Sequence, residues 1–321
     1  MFDRFGVGHS TVMAVTLQRE RSSRVGPAFP PPKFDGAVTS ERAPSSPARR
    51  AVTEYLNAQI DRIDAGDAGL RRGFDAIHDT RVAIRRMRST LRVFAKLFDR
   101  AAATELETEL KWFAAALGEV RDCQVQRKRF GAALDRLPDE LVLGPVRSDI
   151  RVTLRGIERP ARSRVTDAMD SERYVAMMAA LRGWRTEPPL KERFGVDDLR
   201  KYFKTARRKA DRRLAAAVDG DDDAVLHAAR KAAKRARYAG ELCGAVHPPA
   251  RRKAKAYKKV QSVLGDHQDT VVARDVLRRM AAGTGPSRGQ NGFTYGLLYA
   301  REQQIAAETR LKATKLAKGR S

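Results

Sequence analysis

The sequence predicts an all-α fold, and three observations carry that prediction. From Ala48 onward, apolar residues recur at helical spacing in long stretches rich in Ala, Leu, Arg and Glu, all strong helix formers. Turn-forming residues punctuate those stretches at Gly66–Gly69, Pro138, Trp184–Pro189, Asp219-Gly220, Pro248-Pro249 and Gly283–Gly289. No alternating run of four or more residues reads as a strand.

The elements follow in order. Residues 1–47 are rich in Pro, Ser and Arg, and Pro30-Pro31-Pro32 and Pro44-Ser45-Ser46-Pro47 interrupt any helix. This segment is expected to be mostly disordered. Helices are expected near residues 48–64, 75–98, 101–136, 140–168 and 171–183, then near 196–218, 222–244, 249–281 and 290–317. In the second of these, Ile84, Met87, Leu91, Phe94 and Phe98 share one face, which is the face a core would take. Asp221-Asp222-Asp223 reads as acid at a helix start, favoured there by the helix dipole. Past Arg310 the basic tail is expected to fray.

Composition narrows the function classes. Lys+Arg number 64 against 39 Asp+Glu, a formal charge of +25, and such an excess favours a polyanionic partner. Cys123 and Cys243 stand far apart with no Cys-x-x-Cys pair, which suits a reducing compartment. No apolar run is long enough for a membrane span, and Thr11–Leu17 is too short and polar for a secretory core, so a cytoplasmic location and no membrane partner are expected. No nucleophile elbow, phosphate-binding loop or paired-carboxylate motif appears, so no enzyme activity, cofactor or catalytic residue is inferred.

An internal repeat organises the chain. His78-Asp79-Thr80-Arg81-Val82-Ala83-Ile84-Arg85-Arg86-Met87-Arg88 matches His227-Ala228-Ala229-Arg230-Lys231-Ala232-Ala233-Lys234-Arg235-Ala236-Arg237, with every basic position offset by 227 − 78 = 149. Leu117-Gly118-Glu119-Val120-Arg121-Asp122 matches Leu264-Gly265-Asp266-His267-Gln268-Asp269 at an offset of 147. Two related helical bundles, about 48–184 and 196–318, are the simplest reading.

On a helical wheel, His78, Arg81, Arg85, Arg88 and Arg92 fall within a stripe roughly 80° wide beside the apolar face. His227, Arg230, Lys234 and Arg237 repeat it, against Ala229, Ala233, Ala236 and Cys243, small residues that suit close helix approach. Like charges at these spacings repel by a few tenths of a kcal/mol per pair, roughly. A linear polyanion relieves that conflict, because guanidinium groups fork onto phosphate oxygens and Lys acts as a point charge. Alternatives stand beside this reading. A single His is more often buried or capping, and a metal site lacks a neighbouring second ligand. The Arg stripes could pair with acids, for which Asp122 and Asp269 are the nearest candidates. The Leu-Gly pairs suit helix crossing. The runs 200–213 and 251–259 suit either ordinary surface or groove lining.

These motifs resemble the CHAD family, the conserved histidine α-helical domain, over residues 48–318. Its signatures are the His-x-x-Arg-x-x-x-[Arg/Lys]-Arg-x-Arg helix and the Leu-Gly-x-x-x-Asp element, each present twice. The resemblance implies two four-helix-bundle-like halves related by a pseudo-twofold axis. It further implies a basic central groove that binds inorganic polyphosphate, association with polyphosphate granules, and no catalysis. Carried over by position, the polyphosphate-binding residues are His78, Arg81, Arg85, Arg86, Arg88 and Lys111, with His227, Arg230, Lys234, Arg235, Arg237 and Lys258. His267 departs from the family pattern and its role is open. Gln18–Gly36 weakly resembles the opening of a CYTH domain, a remnant without activity. Nonspecific nucleic-acid binding is the competing reading, weakened by few aromatics for base stacking; no obligate protein partner is inferred.

Overall fold

A computed structural model of the chain describes residues 46–283 and 292–319, and the segment expected to be disordered, with its CYTH-like stretch, lies outside these. The described residues form nine α-helices and no strand: α1 (Pro47–Arg71), α2 (Ile77–Val93), α3 (Arg100–Leu134), α4 (Val146–Met169), α5 (Glu172–Thr186), α6 (Val196–Val218), α7 (Asp223–Cys243), α8 (Pro249–Ala282) and α9 (Phe293–Lys318). The all-α expectation holds.

Local chemistry starts these helices where the sequence suggested. Ser46 Oγ accepts the Arg49 N–H ahead of α1, with Pro47 in the first turn, where no amide partner is needed. Asp222 accepts the Ala224 N–H at 2.7 Å to cap α7. The acid triplet therefore opens a helix, as expected.

Three boundaries differ from the sequence reading, each for a physical reason. α1 runs through Gly66 and Gly69 to Arg71. Gly66 is a packing site for α2: a Cβ there would meet the Thr80 side chain at 3.0 Å or less. α2 ends at Val93, and a short 3-10 turn over Ala95–Leu97 follows, with Phe94, Leu97 and Phe98 all buried. Phe98 and Leu190 then form an isolated antiparallel bridge, which ties this turn to the segment between α5 and α6. The tail does not fray at Arg310. That guanidinium donates to Asp223 Oδ1 and to the Asp221 carbonyl, both at 2.6 Å, and α9 continues to Lys318.

Three apolar clusters hold the helices. The largest joins α1, α2, α3 and α5 to the ends of α6 and α7, through residues such as Leu56, Ile84, Phe113, Leu199 and Leu242. A second unites α6, α7, α8 and α9 and is built largely of Ala, including Ala229, Ala233 and Ala236. Small side chains let these helices approach closely, as their spacing suggested. The third joins the far ends of α3, α4, α8 and α9 around Phe130, Ile150, Leu277 and Leu298. Apolar packing thus crosses the midpoint of the repeat twice.

Polar ties reinforce those crossings. Buried Glu302 of α9 accepts a two-pronged bond from Arg129 of α3, with Nε 2.8 Å from Oε1. His267, also buried, sets Nε2 2.8 Å from Asp223 Oδ1 and Nδ1 3.2 Å from Thr309 Oγ1. The histidine left open by the sequence therefore fastens α8 to the start of α7 and to α9. Glu302→Ala leaves the Arg129 guanidinium half-buried without its counter-ion, and a loss of about 3 kcal/mol in urea unfolding is expected. The double change Glu302→Met with Arg129→Met is expected to recover most of it.

Candidate anion-binding site

The site is built where α2 and α7 cross, with α3 and α8 behind them. Both helices are pinned by their apolar stripes: Ile77, Ile84, Met87 and Leu91 on α2, and Leu226, Ala229, Ala233 and Ala236 on α7. The neighbouring stripe of each is thereby turned toward the other helix.

Four cations meet there. Burial first, and then the charges of Arg230, Arg85 and Arg81, push the Lys234 ammonium down to about 7. Since α2 supplies two of those charges and α7 the third, the two copies of the basic motif face a common space. Arg230 is held below its ordinary range by burial; Asp269 opposes that shift, Arg85 adds to it, and Asp266 and Asp122 oppose it. Arg81 is lowered by burial, against Asp122.

Two carboxylates stand behind the cations, those expected from the second motif. Asp122 feels Arg81 and Arg230, one from each copy, yet loss of hydration keeps its carboxyl above the usual range. Its surface is open to water. Burial likewise raises Asp269, against the pull of Arg230 and Arg129. Neither closes an ion pair with a cation of the cluster among the described residues, so they temper the charge without cancelling it.

The Leu-Gly elements have a more specific use than helix crossing. Gly118 and Gly265 each sit directly against the matching arginine. A Cβ at Gly118 would stand 2.5 Å from Arg81 Nη1, and one at Gly265 would stand 3.4 Å from Arg230 Nη2. The glycine of each α3 or α8 copy opens a slot for the guanidinium of its own α2 or α7 copy. In the first slot Arg81 Nη1 donates to the Ala114 carbonyl at 2.9 Å. Nε of Arg81, Arg85 and Arg230 is buried and finds no acceptor among the described residues.

The histidines flank the cluster. His227 Nδ1 lies 2.6 Å from Gln268 Oε1, so the ring nitrogen donates to the amide oxygen. Burial, with Lys231, Arg230 and Lys234, lowers the His227 imidazole despite that bond. His78 is exposed and is lowered by burial of part of its ring and by Arg121. Arg121 and Gln268 are matching positions in the repeat, and sequence reasoning missed both. The signal was present, since each stands one residue before the motif's Asp.

Other expected residues are turned elsewhere. Arg86 Nε binds Glu241 Oε2 at 3.0 Å, and Arg237 Nε binds Glu241 Oε1 at 2.8 Å, with both guanidinium groups against the Tyr238 ring. Arg88 and Arg92 share Glu107 Oε1, each at 2.8 Å. These four pair with carboxylates from α7 and α3; only Arg237, one helical turn before Glu241, has its partner within reach on its own helix. Arg235 faces Arg92 and Arg213 rather than the four-cation cluster. Lys111 and Lys258 are exposed, about two turns before the slot glycines, and carry none of the interactions described.

Comparison with known proteins agrees with this architecture. The CHAD domain model matches residues 54–278. The chain belongs to the CHAD domain family. Two uncharacterized Mycobacterium tuberculosis proteins, MT2285 and Rv2226, are each 33% identical to it over 279 residues, covering 83% of this chain and 52% of theirs. The chain therefore spans about half the length of these curated relatives. Among solved structures, PptA from Streptomyces chartreusis superposes with a TM-score of 0.70 at 22% identity, covering 83% of this chain and 98% of that one. The CHAD domain from the plant Ricinus communis gives a TM-score of 0.67 at 25% identity, covering 85% and 92%.

The unequal slots give a test. Gly118→Ala is expected to expel the Arg81 guanidinium, whereas Gly265→Ala is expected to leave Arg230 in place and to stabilise α8 by up to about 1 kcal/mol. NMR of the arginine Nε–H resonances, with thermal denaturation, reads both outcomes.

Proposed function

We propose that this chain is a non-catalytic module that binds inorganic polyphosphate at the α2–α7 crossing. The observation that carries the reading is the buried Nε of Arg81, Arg85 and Arg230, without an acceptor among the described residues, in one cluster with Lys234 and opposed by the carboxylates of Asp122, Asp266 and Asp269, none of which closes an ion pair with it there. A buried donor without a partner costs roughly 1–3 kcal/mol. Phosphate oxygens would supply the missing acceptors and the missing charge together. His78 and His227 flank the seat, one on the side of each copy, and a bound anion would favour their protonated forms.

Several features support a polymer of phosphate over other anions. The cations come from two helices and form a continuous set instead of a single pocket. Phe94, Phe98 and Phe113 are committed to the core, so the crossing lacks the aromatic platform that single-stranded nucleic acid would favour. In this reading the two halves, 48–184 and 196–318, share the ligand across a pseudo-twofold axis, and the module would bring its host chain to polyphosphate granules. Lys111, Lys258 and the rest of the basic surface would add long-range attraction without forming the seat.

Affinity for long-chain polyphosphate should exceed that for duplex DNA at equal charge, and both should weaken with added salt. Duplex DNA competing equally near physiological salt would falsify the specificity. Arg81→Ala combined with Arg230→Ala should weaken binding at least about tenfold, and the exposed control Lys315→Ala by less than twofold or so. Equal losses would indicate diffuse attraction. Fluorescently tagged chain should also co-localise with polyphosphate stain, and the double variant should not.

A pH dependence follows with a definite sign. In the free site Lys234 titrates at about 7, below its ordinary value, and bound anion raises it. Binding therefore takes up a proton above about pH 7, and affinity should fall by up to about tenfold per pH unit between roughly pH 7 and 9. Lys234→Met should flatten that slope. Calorimetry in buffers of different ionisation enthalpy measures the proton uptake directly.

A further inference from the structure

Arg235 follows Lys234 by one residue and so stands roughly 100° around α7 from it. That rotation carries it out of the crossing and into a cleft of about 370 Å³ between α2, α6 and α7. Arg92 and Lys209 line the same cleft. The charges acting most strongly on Arg235 are Arg92, Arg213, Glu107 and Arg88. None belongs to the four-cation cluster. Glu107 is the sole carboxylate of this second group, and it is already shared by Arg88 and Arg92. Among the described residues neither Lys209 nor Arg235 has an ion-pair partner.

The remaining walls are unlike those of the first site. Val93, Ala206 and Ala232 make an apolar floor. The Tyr202 ring is held edge-on against buried Phe94, with centroids 6.2 Å apart at 90°, so its position is fixed. Thr205 donates its hydroxyl proton to the Lys201 carbonyl at 3.0 Å, which leaves its oxygen as an acceptor facing the cleft. A bare phosphate chain offers nothing to an apolar floor and no donor to Thr205 when fully ionised. A molecule with phosphate at one end and a ring bearing N–H or O–H groups at the other matches both walls. The cleft volume lies within the range of small-molecule sites, roughly 300–1,000 Å³.

We propose that this cleft is a second, separate anion site, for a compact organic phosphate of the nucleoside phosphate class. Its phosphates would sit on Arg235, Lys209 and Arg92. Its ring would lie on the Val93–Ala206–Ala232 floor against Tyr202, with a ring or sugar donor on Thr205.

The test uses ADP and inorganic pyrophosphate as probes, titrated calorimetrically into the full chain. The Arg81→Ala plus Arg230→Ala background removes the first site from the measurement. There ADP should bind one to one, at least about tenfold more tightly than pyrophosphate, and Lys209→Glu should weaken it by about tenfold or more. Ala206→Phe, which fills the floor, should abolish ADP binding while leaving the melting temperature near that of its parent. In the otherwise unaltered chain, Lys209→Glu should leave polyphosphate affinity within about twofold. No ADP binding, equal affinity for pyrophosphate, or insensitivity to Lys209→Glu would each overturn the proposal. So would a parallel loss of ADP and polyphosphate binding in Lys209→Glu, which would make the two sites one. Because the polyphosphate reading depends on Arg81 and Arg230, either proposal can fail while the other stands.

Discussion

Unbalanced positive charge at the α2–α7 crossing is the constraint around which the rest of this structure is arranged. Arg81, Arg85, Arg230 and Lys234 are brought within one another's field while water is partly removed from all of them. Both effects oppose folding: like charges repel, and a desolvated cation without an acceptor loses its hydration unrecovered. The surrounding helices must therefore be held by other means. The apolar clusters that cross the repeat midpoint, and the Arg129–Glu302 and His267–Asp223 ties, provide that holding force.

The basic motif divides into cations left without a carboxylate and cations packed against one. Positions that face across the crossing keep their charge unmatched. Arg86, and positions further along the stripe, receive carboxylates: Glu241 serves Arg86 and Arg237, and Glu107 serves Arg88 and Arg92. Substitutions in the second group would act on stability and helix placement before they act on any ligand. The slot glycines belong with the first group although they carry no charge, because each sits directly against one of its guanidinium groups.

The second cleft follows from the same geometry. A helix that carries cations at adjacent positions must send them to different sides, and α7 sends Lys234 to the crossing and Arg235 toward α6. One sequence motif therefore feeds two places, with an excess of positive charge in each and an apolar floor in only the second.

The sequence by itself determined the helical class, the near-complete set of helices, the core residues and the repeat. These are local properties: side-chain periodicity and capping chemistry are written within a few turns of each helix. It also determined which residues form the cationic stripes, since angular position on a helix follows from spacing alone. Only the tertiary structure decided which of those cations remain unpaired. Glu107 lies 19 residues from Arg88, and Glu241 lies 155 residues from Arg86, and nothing in either spacing brings them together. Gly66 and Gly118 likewise read as breaks or crossings in sequence, because the Thr80 and Arg81 side chains that need their space arrive from another helix. Pairing, burial and the depth of a slot are properties of distance in space, and the chain encodes them only through the packing of the whole.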